Sequence, residues 1–201
     1  MHALRGDIAR DGYAFVRSYR PEADVLVVAR ALGQPLDPLG RGAIQELIPR
    51  SNSTPNTYSG SYGLGSFPFH TDLAHWRTPP RYLLLRCVTG YADVPTLLLD
   101  GQDVFDAVPV DILARAIFKP RRPRNGALEL LRLYEPTDNG YCFRWDDLFL
   151  RPASRVGDVA DRRIKEQLSR SEPLRIALAH AGDTLLWTGQ TSVDIHEPLC
   201  A

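Results

Sequence analysis

The chain has 201 residues, 44% of them apolar and 24% charged, which suits one soluble domain with a sizeable core and leaves two full domains cramped. Lys plus Arg and Asp plus Glu both number 24, so the formal net charge is zero, and the basic excess of a nucleic-acid binder or membrane-surface protein is missing. The one basic cluster, residues 119–124 with two prolines inside, reads as a solvated loop.

The three cysteines, Cys87, Cys142 and Cys200, are far apart and form no CxxC pair, so a disulfide framework or thiolate zinc site is not expected and a cytoplasmic location is. The N-terminus lacks the apolar core of a signal peptide, and no run approaches the roughly 20 apolar residues of a membrane span.

In chain order, residues 13–17 read as a strand and 20–33 as a helix, with Pro21 and Glu22 in its first turn and Gly33 as its stop. Residues 43–48, 67–71, 81–88 and 96–100 follow as strands. Residues 109–117 read as a short helix, and 128–134 and 141–145 as further strands. A helix is expected over 155–170, where Val156, Ala160, Ile164 and Leu168 form a stripe. Strands over 174–179 and 184–188 close the series. Short strands bounded by Gly, Pro, Asn or Asp, without regular alternation with helices, point to a mainly β fold: a double-sheet core with helices on one outer face.

The chemistry concentrates in Phe67-Pro68-Phe69-His70-Thr71-Asp72. In an extended chain, residues two apart face the same way, so His70 and Asp72 can aim into one cavity. An imidazole beside a carboxylate is two thirds of a 2-His-1-carboxylate triad, which leaves open positions on iron for a co-substrate and O₂. Alone, His-x-Asp also arises by chance in surface loops.

The surrounding text is more specific. The segment through His70-Thr71-Asp72, then Thr78-Pro79-Pro80 and the run 81–86, resembles the clavaminate synthase-like and taurine dioxygenase-like branch of the Fe(II)- and 2-oxoglutarate-dependent oxygenases. Residues 93–101 resemble that family's next strand, 141–146 its Arg-aromatic-Asp strand, and 181–187 the Gly-Asp turn and strand ahead of the distal histidine. The resemblance covers most of residues 55–187. It implies a distorted double-stranded β-helix (jelly roll) and Fe(II) as cofactor, with 2-oxoglutarate and O₂ as co-substrates. It further implies hydroxylation of a small polar metabolite. His70 and Asp72 would be the catalytic metal ligands, and Thr96 would contact the 2-oxoglutarate carboxylate.

After Trp187 the pattern departs from the family. His196 is the remaining candidate for the third metal ligand, about two residues later than the family spacing, and no arginine follows it to hold the far carboxylate of 2-oxoglutarate. Arg86, Arg144 and Arg175 stand on nearby strands as substitutes or as structurally paired residues. The abrupt change suggests a C-terminus shortened or altered after about residue 187. Two rival readings are a catalytically silent jelly roll that binds a small molecule or protein, and a zinc hydrolase using the same three ligands. His75 is read as a turn residue near the cavity mouth, His180 as structural and His2 as disordered. The sequence sets no oligomeric state.

Overall fold

The computed structural model describes residues 2–37, 40, 42–48, 55–122, 129–138, 140–188 and 192–196, with backbone alone for 2–5 and 192–196. Its core is built on two three-stranded antiparallel sheets. The first holds β1 (Tyr13–Val16), β10 (Thr184–Thr188) and β2 (Tyr82–Arg86), in that order. The second holds β11 (Ser192–His196), β3 (Pro95–Asp100) and β9 (Leu174–Ala177).

Alternation along these strands explains how they stack. Tyr13 and Phe15 of β1, Leu83 and Leu85 of β2, and Leu185 and Trp187 of β10 meet Leu98 and Ile176 of the other sheet in one apolar layer. The intervening residues Ala14, Leu84 and Leu186 face outward, against Ile8 of α1 (His2–Asp11). Burying a side chain such as Leu185, which has no exposed surface, contributes about 1.5–3 kcal/mol.

The outer side of the second sheet is covered differently. Leu99 of β3 packs into the largest core cluster with Val104 of α4 (Gly101–Ala107), Leu113 of α5 (Val110–Arg115) and Ile164 of α6 (Arg155–Leu168). Helices therefore cover both outer faces, and not one as expected. The expected stripe on α6 is realised, since Ala160 and Ile164 are buried and Val156 and Leu168 pack against the same cluster. Ser154 begins this helix by accepting the N–H of Gly157 at 3.0 Å, a cap that contributes about 1 kcal/mol.

Two smaller sheets lie beside this core: β5 (Leu131–Arg132), β4 (Ile117–Pro120) and β8 (Leu150–Pro152), and the pair β6 (Tyr134–Thr137) with β7 (Gly140–Phe143). Other expectations need correction. The helix expected from residue 20 is α2 (Val25–Leu32), because Arg20 has φ 44° and Asp24 supplies the cap to Leu26. Residues 43–48 are exposed and irregular rather than a strand. Residues 67–71 pair only through one bridge, His70 to Asp146. His2 opens α1 and is not disordered. The expected strand at 128–134 begins outside the described residues and is split into β5 and the start of β6. Cys87 and Cys142 are free and buried, whereas Cys200 lies outside the described residues. No helix among the described residues is long and apolar enough to cross a membrane.

The Gly-Asp turn before β10 shows why that dipeptide stands there. Gly182 has φ 84°, and a Cβ at that position would sit 2.8 Å from Pro21 Cα. Asp183, 1% exposed, accepts the backbone N–H groups of Ser18 at 2.9 Å and of Ala179 and His180 at 3.0 Å. Burial pushes its carboxyl up, but those N–H groups together more than offset this and hold it below its ordinary value. A depressed carboxylate stabilises the fold above its unfolded value and loses that contribution as pH falls through the folded one. Asp183→Asn should therefore cost about 2 kcal/mol at neutral pH and remove part of the loss of stability expected as pH falls below the ordinary carboxylate value. Urea titrations at several pH values measure both. Parallel pH curves for the two proteins would refute this role.

Candidate functional site

The His-Thr-Asp segment is held by a single point of sheet pairing. His70 forms an isolated antiparallel bridge with Asp146, and the N–H of Thr71 donates to the carbonyl of Trp145 at 2.8 Å. The Thr71 hydroxyl accepts the N–H of Trp145 at 3.0 Å. The middle residue of the motif is therefore a clamp in which a side-chain oxygen takes the place of a ladder carbonyl. Leu73 then adopts φ 52° and ends the extended run. Asp72 thus sits at the start of a turn, and not on the continuing strand that the sequence suggests.

This turn still brings the two side chains together. His70 Nε2 lies 3.8 Å from Asp72 Oδ1, with the imidazole 4% and the carboxylate 30% exposed. His70 Nδ1 lies 2.8 Å from the carbonyl oxygen of Pro68. A carbonyl only accepts, so Nδ1 carries the proton. In the neutral ring, Nε2 then presents a lone pair on the side of Asp72, the form in which histidine ligates a metal.

The half-buried Tyr58 and the buried Asp146 pack beside His70; the sequence reading placed Asp146 in the family-like strand but did not bring Tyr58 to the site. Tyr58, the first residue of α3 (Tyr58–Tyr62), stacks on the His70 ring with centroids 4.2 Å apart. Its hydroxyl donates to Asp146 Oδ2 at 2.7 Å. The other oxygen of Asp146 accepts the N–H groups of Leu148 at 2.7 Å and Phe149 at 2.9 Å. Burial raises the Asp146 carboxyl above its ordinary value, while Tyr58, the two N–H groups and nearby His70 pull it partly back. Burial, and then the Asp146 carboxylate, drive the Tyr58 phenol far up, so it remains a hydrogen-bond donor. Local sequence carries no signal for this partner of His70, because Tyr58 and Asp146 stand 88 residues apart.

Thr96 is 6% exposed and alternates with Leu98, so it belongs to the inner face of β3. It pairs in register with Ile176 on one side and His196 on the other. The structure thus sets His196 beside Thr96 along the backbone, although its side chain lies outside the described residues. Among those residues, no three His, Cys, Asp or Glu side chains gather as a metal site; His70 and Asp72 stand as a pair. The indole N–H of Trp187, buried within the layer that holds Leu98 and Ile176, meets no acceptor among the described residues.

The arginines are otherwise engaged. Arg86 donates to the carbonyls of Tyr19 at 2.7 Å, Ala23 at 3.2 Å and Arg20. Arg144, 1% exposed, donates to the carbonyl of Trp76 at 2.6 Å and pairs with Glu135 at 2.8 Å. Arg175 precedes Ile176 on β9 and so occupies the face opposite to that of Thr96. His75 lies in the turn after Asp72, where its Nε2 accepts the Trp76 indole N–H at 3.1 Å. His180 is exposed and serves Asp183 through its backbone N–H. A cavity of ≈ 440 Å³ beside α2, lined by Leu26, Arg30 and Ile44 among others, is lined by none of His70, Asp72 or Thr96.

No protein-family model matches the chain, and neither does any curated protein sequence. Solved structures do match. Asparagine oxygenase in complex with Fe(II), 2S,3S-3-hydroxyasparagine and succinate superposes with a TM-score of 0.71 at 15% identity, over 100% of this chain and 73% of that one. The PvcB protein from Pseudomonas aeruginosa gives 0.68 at 15% identity, over 99% and 74%. OrfP, a non-haem iron oxygenase in complex with Fe, succinate and (3S)-hydroxy-L-Arg, gives 0.51 at 21% identity, over 76% and 49%. The chain has the fold of these oxygenases.

Proposed function

We propose that this chain is a non-haem Fe(II)- and 2-oxoglutarate-dependent oxygenase that hydroxylates a small polar metabolite, with an amino acid as the natural class. The observation that carries the reading is the His70–Asp72 pair, with Nε2 3.8 Å from a carboxylate oxygen, on an oxygenase fold. Adjacent ligands on an octahedral metal with bonds of about 2.1 Å stand roughly 3 Å apart, so a small rotation of Asp72 would bring both atoms onto one ion. His70, Asp72 and His196 would hold the iron, and Thr96 would meet 2-oxoglutarate between the two sheets. The unpartnered indole N–H of Trp187 in that layer fits a carboxylate-bearing guest, because a buried donor without an acceptor is costly.

Bound together, Fe(II) and 2-oxoglutarate would supply the oxidising chemistry, converting 2-oxoglutarate and O₂ to succinate and CO₂ while an oxygen atom enters a C–H bond of the substrate. The protein's part is to orient that bond and exclude water. The amino-acid class is supported by the hydroxyasparagine and hydroxyarginine bound by the similar structures. In this reading the two facing sheets form a distorted jelly roll, the chain is one oxygenase domain, and its location is cytoplasmic.

One observation favours a silent binding module of the same fold. Arg86 and Arg144 are both committed to backbone carbonyls, so neither is spare for the far carboxylate of 2-oxoglutarate. Anaerobic titration of metal-free protein with Fe(II), then 2-oxoglutarate, separates the two. A saturating visible charge-transfer band is the expected result. Fe(II) binding without the band would remove the co-substrate, and absence of Fe(II) binding would leave only the silent module.

A further inference from the structure

We propose that Tyr58 and the buried Asp146 form a clamp that positions the His70 imidazole for metal binding; the inference rests on the iron-site reading above.

The hydrogen bond from His70 Nδ1 to Pro68 fixes one atom of the ring but leaves it free to swing about the Nδ1···O line. A flat surface against the ring face removes that freedom. Tyr58 supplies it, 4.2 Å away and inclined by 30°. Tyr58 is in turn fixed by its hydroxyl on Asp146 at 2.7 Å. Asp146, 2% exposed, is immobilised by the N–H groups of Leu148 and Phe149. Its backbone bridges to that of His70 itself. The contacts close a ring: His70 backbone, Asp146 backbone, Asp146 carboxylate, Tyr58 hydroxyl, Tyr58 ring, His70 imidazole. A chain closed in this way ties the direction of Nε2 to the backbone that carries it, which is how outer partners of metal-binding histidines act.

A carboxylate buried to this degree is costly unless its hydrogen bonds are made, and here three donors make them. Tyr58 is the only one of the three that also touches the candidate ligand. It is therefore a positioning residue whose effect reaches the metal through His70.

Co(II), an air-stable reporter of an iron site, is titrated into metal-free wild type, Tyr58→Ala, Tyr58→Leu and Tyr58→Phe, following the ligand-field spectrum. Thermal melting and the ring-proton NMR shifts of His70 are recorded on the metal-free proteins. Tyr58→Ala and Tyr58→Leu should weaken Co(II) about ten- to hundredfold and alter the spectrum. Tyr58→Phe keeps the stacking face but cuts the hydroxyl link to Asp146, so it should restore the affinity only in part. The upfield ring-current shift of His70 should vanish in the Ala and Leu variants and persist in Phe, which reports the stacking, while a changed Co(II) spectrum at unchanged melting temperature is what a purely structural tyrosine would not produce. Should Tyr58→Ala fail to fold, Tyr58→Leu carries the comparison, and Tyr58→Phe provides the partial rescue. Equal Co(II) affinity in wild type and a folded Tyr58→Ala or Tyr58→Leu overturns the clamp and leaves the oxygenase reading standing. Failure of wild type to take Co(II) sinks that reading and the clamp with it.

Discussion

Asp72→Ala is expected to abolish Fe(II)-dependent consumption of 2-oxoglutarate while leaving the fold intact. The carboxylate is 30% exposed, and its loss opens no core cavity, so stability should stay within about 0.5 kcal/mol of wild type. Fe(II) affinity should fall at least about a hundredfold, because one of the two candidate ligands, 3.8 Å apart, has gone. His70→Ala should be equally inactive but less stable. Its side chain is 4% exposed under Tyr58, and removing it leaves a void costing about 1–3 kcal/mol. Asp72→Asn, which keeps the size and removes the charge, should resemble Asp72→Ala in turnover. Succinate release coupled to O₂ uptake measures all three. Turnover retained by any of them would remove the metal assignment, whatever the fold resembles.

Arg144→Ala should be the most destabilising single change, at about 3–5 kcal/mol. Its guanidinium is almost wholly buried and pairs with Glu135, whose side chain is 25% exposed. It also donates to the carbonyl of Trp76, in the turn that follows Asp72. Removing it strands that carbonyl and loosens the connection between the segment after β7 that carries Trp145 and the segment carrying the candidate ligands. Urea unfolding gives the size of the loss. Glu135→Gln leaves the guanidinium buried with a neutral partner and should cost less, about 1–3 kcal/mol. If Arg144→Ala loses under 1 kcal/mol, this arginine is dispensable to the fold and becomes free to be considered for the co-substrate.

The periodic strands were legible because each alternates cleanly between an inner and an outer face. Leu83, Leu85, Leu98, Leu185 and Trp187 face the inter-sheet layer, and Leu84, Leu99 and Leu186 face outward. The helix α6 was legible for the same reason at a period near four. Where apolar residues lacked a partner strand the reading failed. Residues 43–48 look like a strand, yet sheet structure needs a neighbour, and none pairs with them there. Residues 67–71 fail differently: Pro68 has no N–H to give, and its carbonyl is taken by the His70 ring.

For the site, the sequence by itself determined that an imidazole and a carboxylate stand two residues apart in a segment that resembles the oxygenases, with Thr96 on a following strand. Only the tertiary structure decided how they are held: by the turn at Leu73, by Thr71 acting as a clamp, and by Tyr58 and Asp146 meeting over the His70 ring. Likewise the pairing of β11 with β3 sets His196 opposite Thr96, a relation that spacing from Trp187 did not give. The physical reason is the same in each case. Side-chain alternation is a local property written along one strand, whereas strand pairing and ring contacts depend on which distant segments the burial of apolar faces brings together.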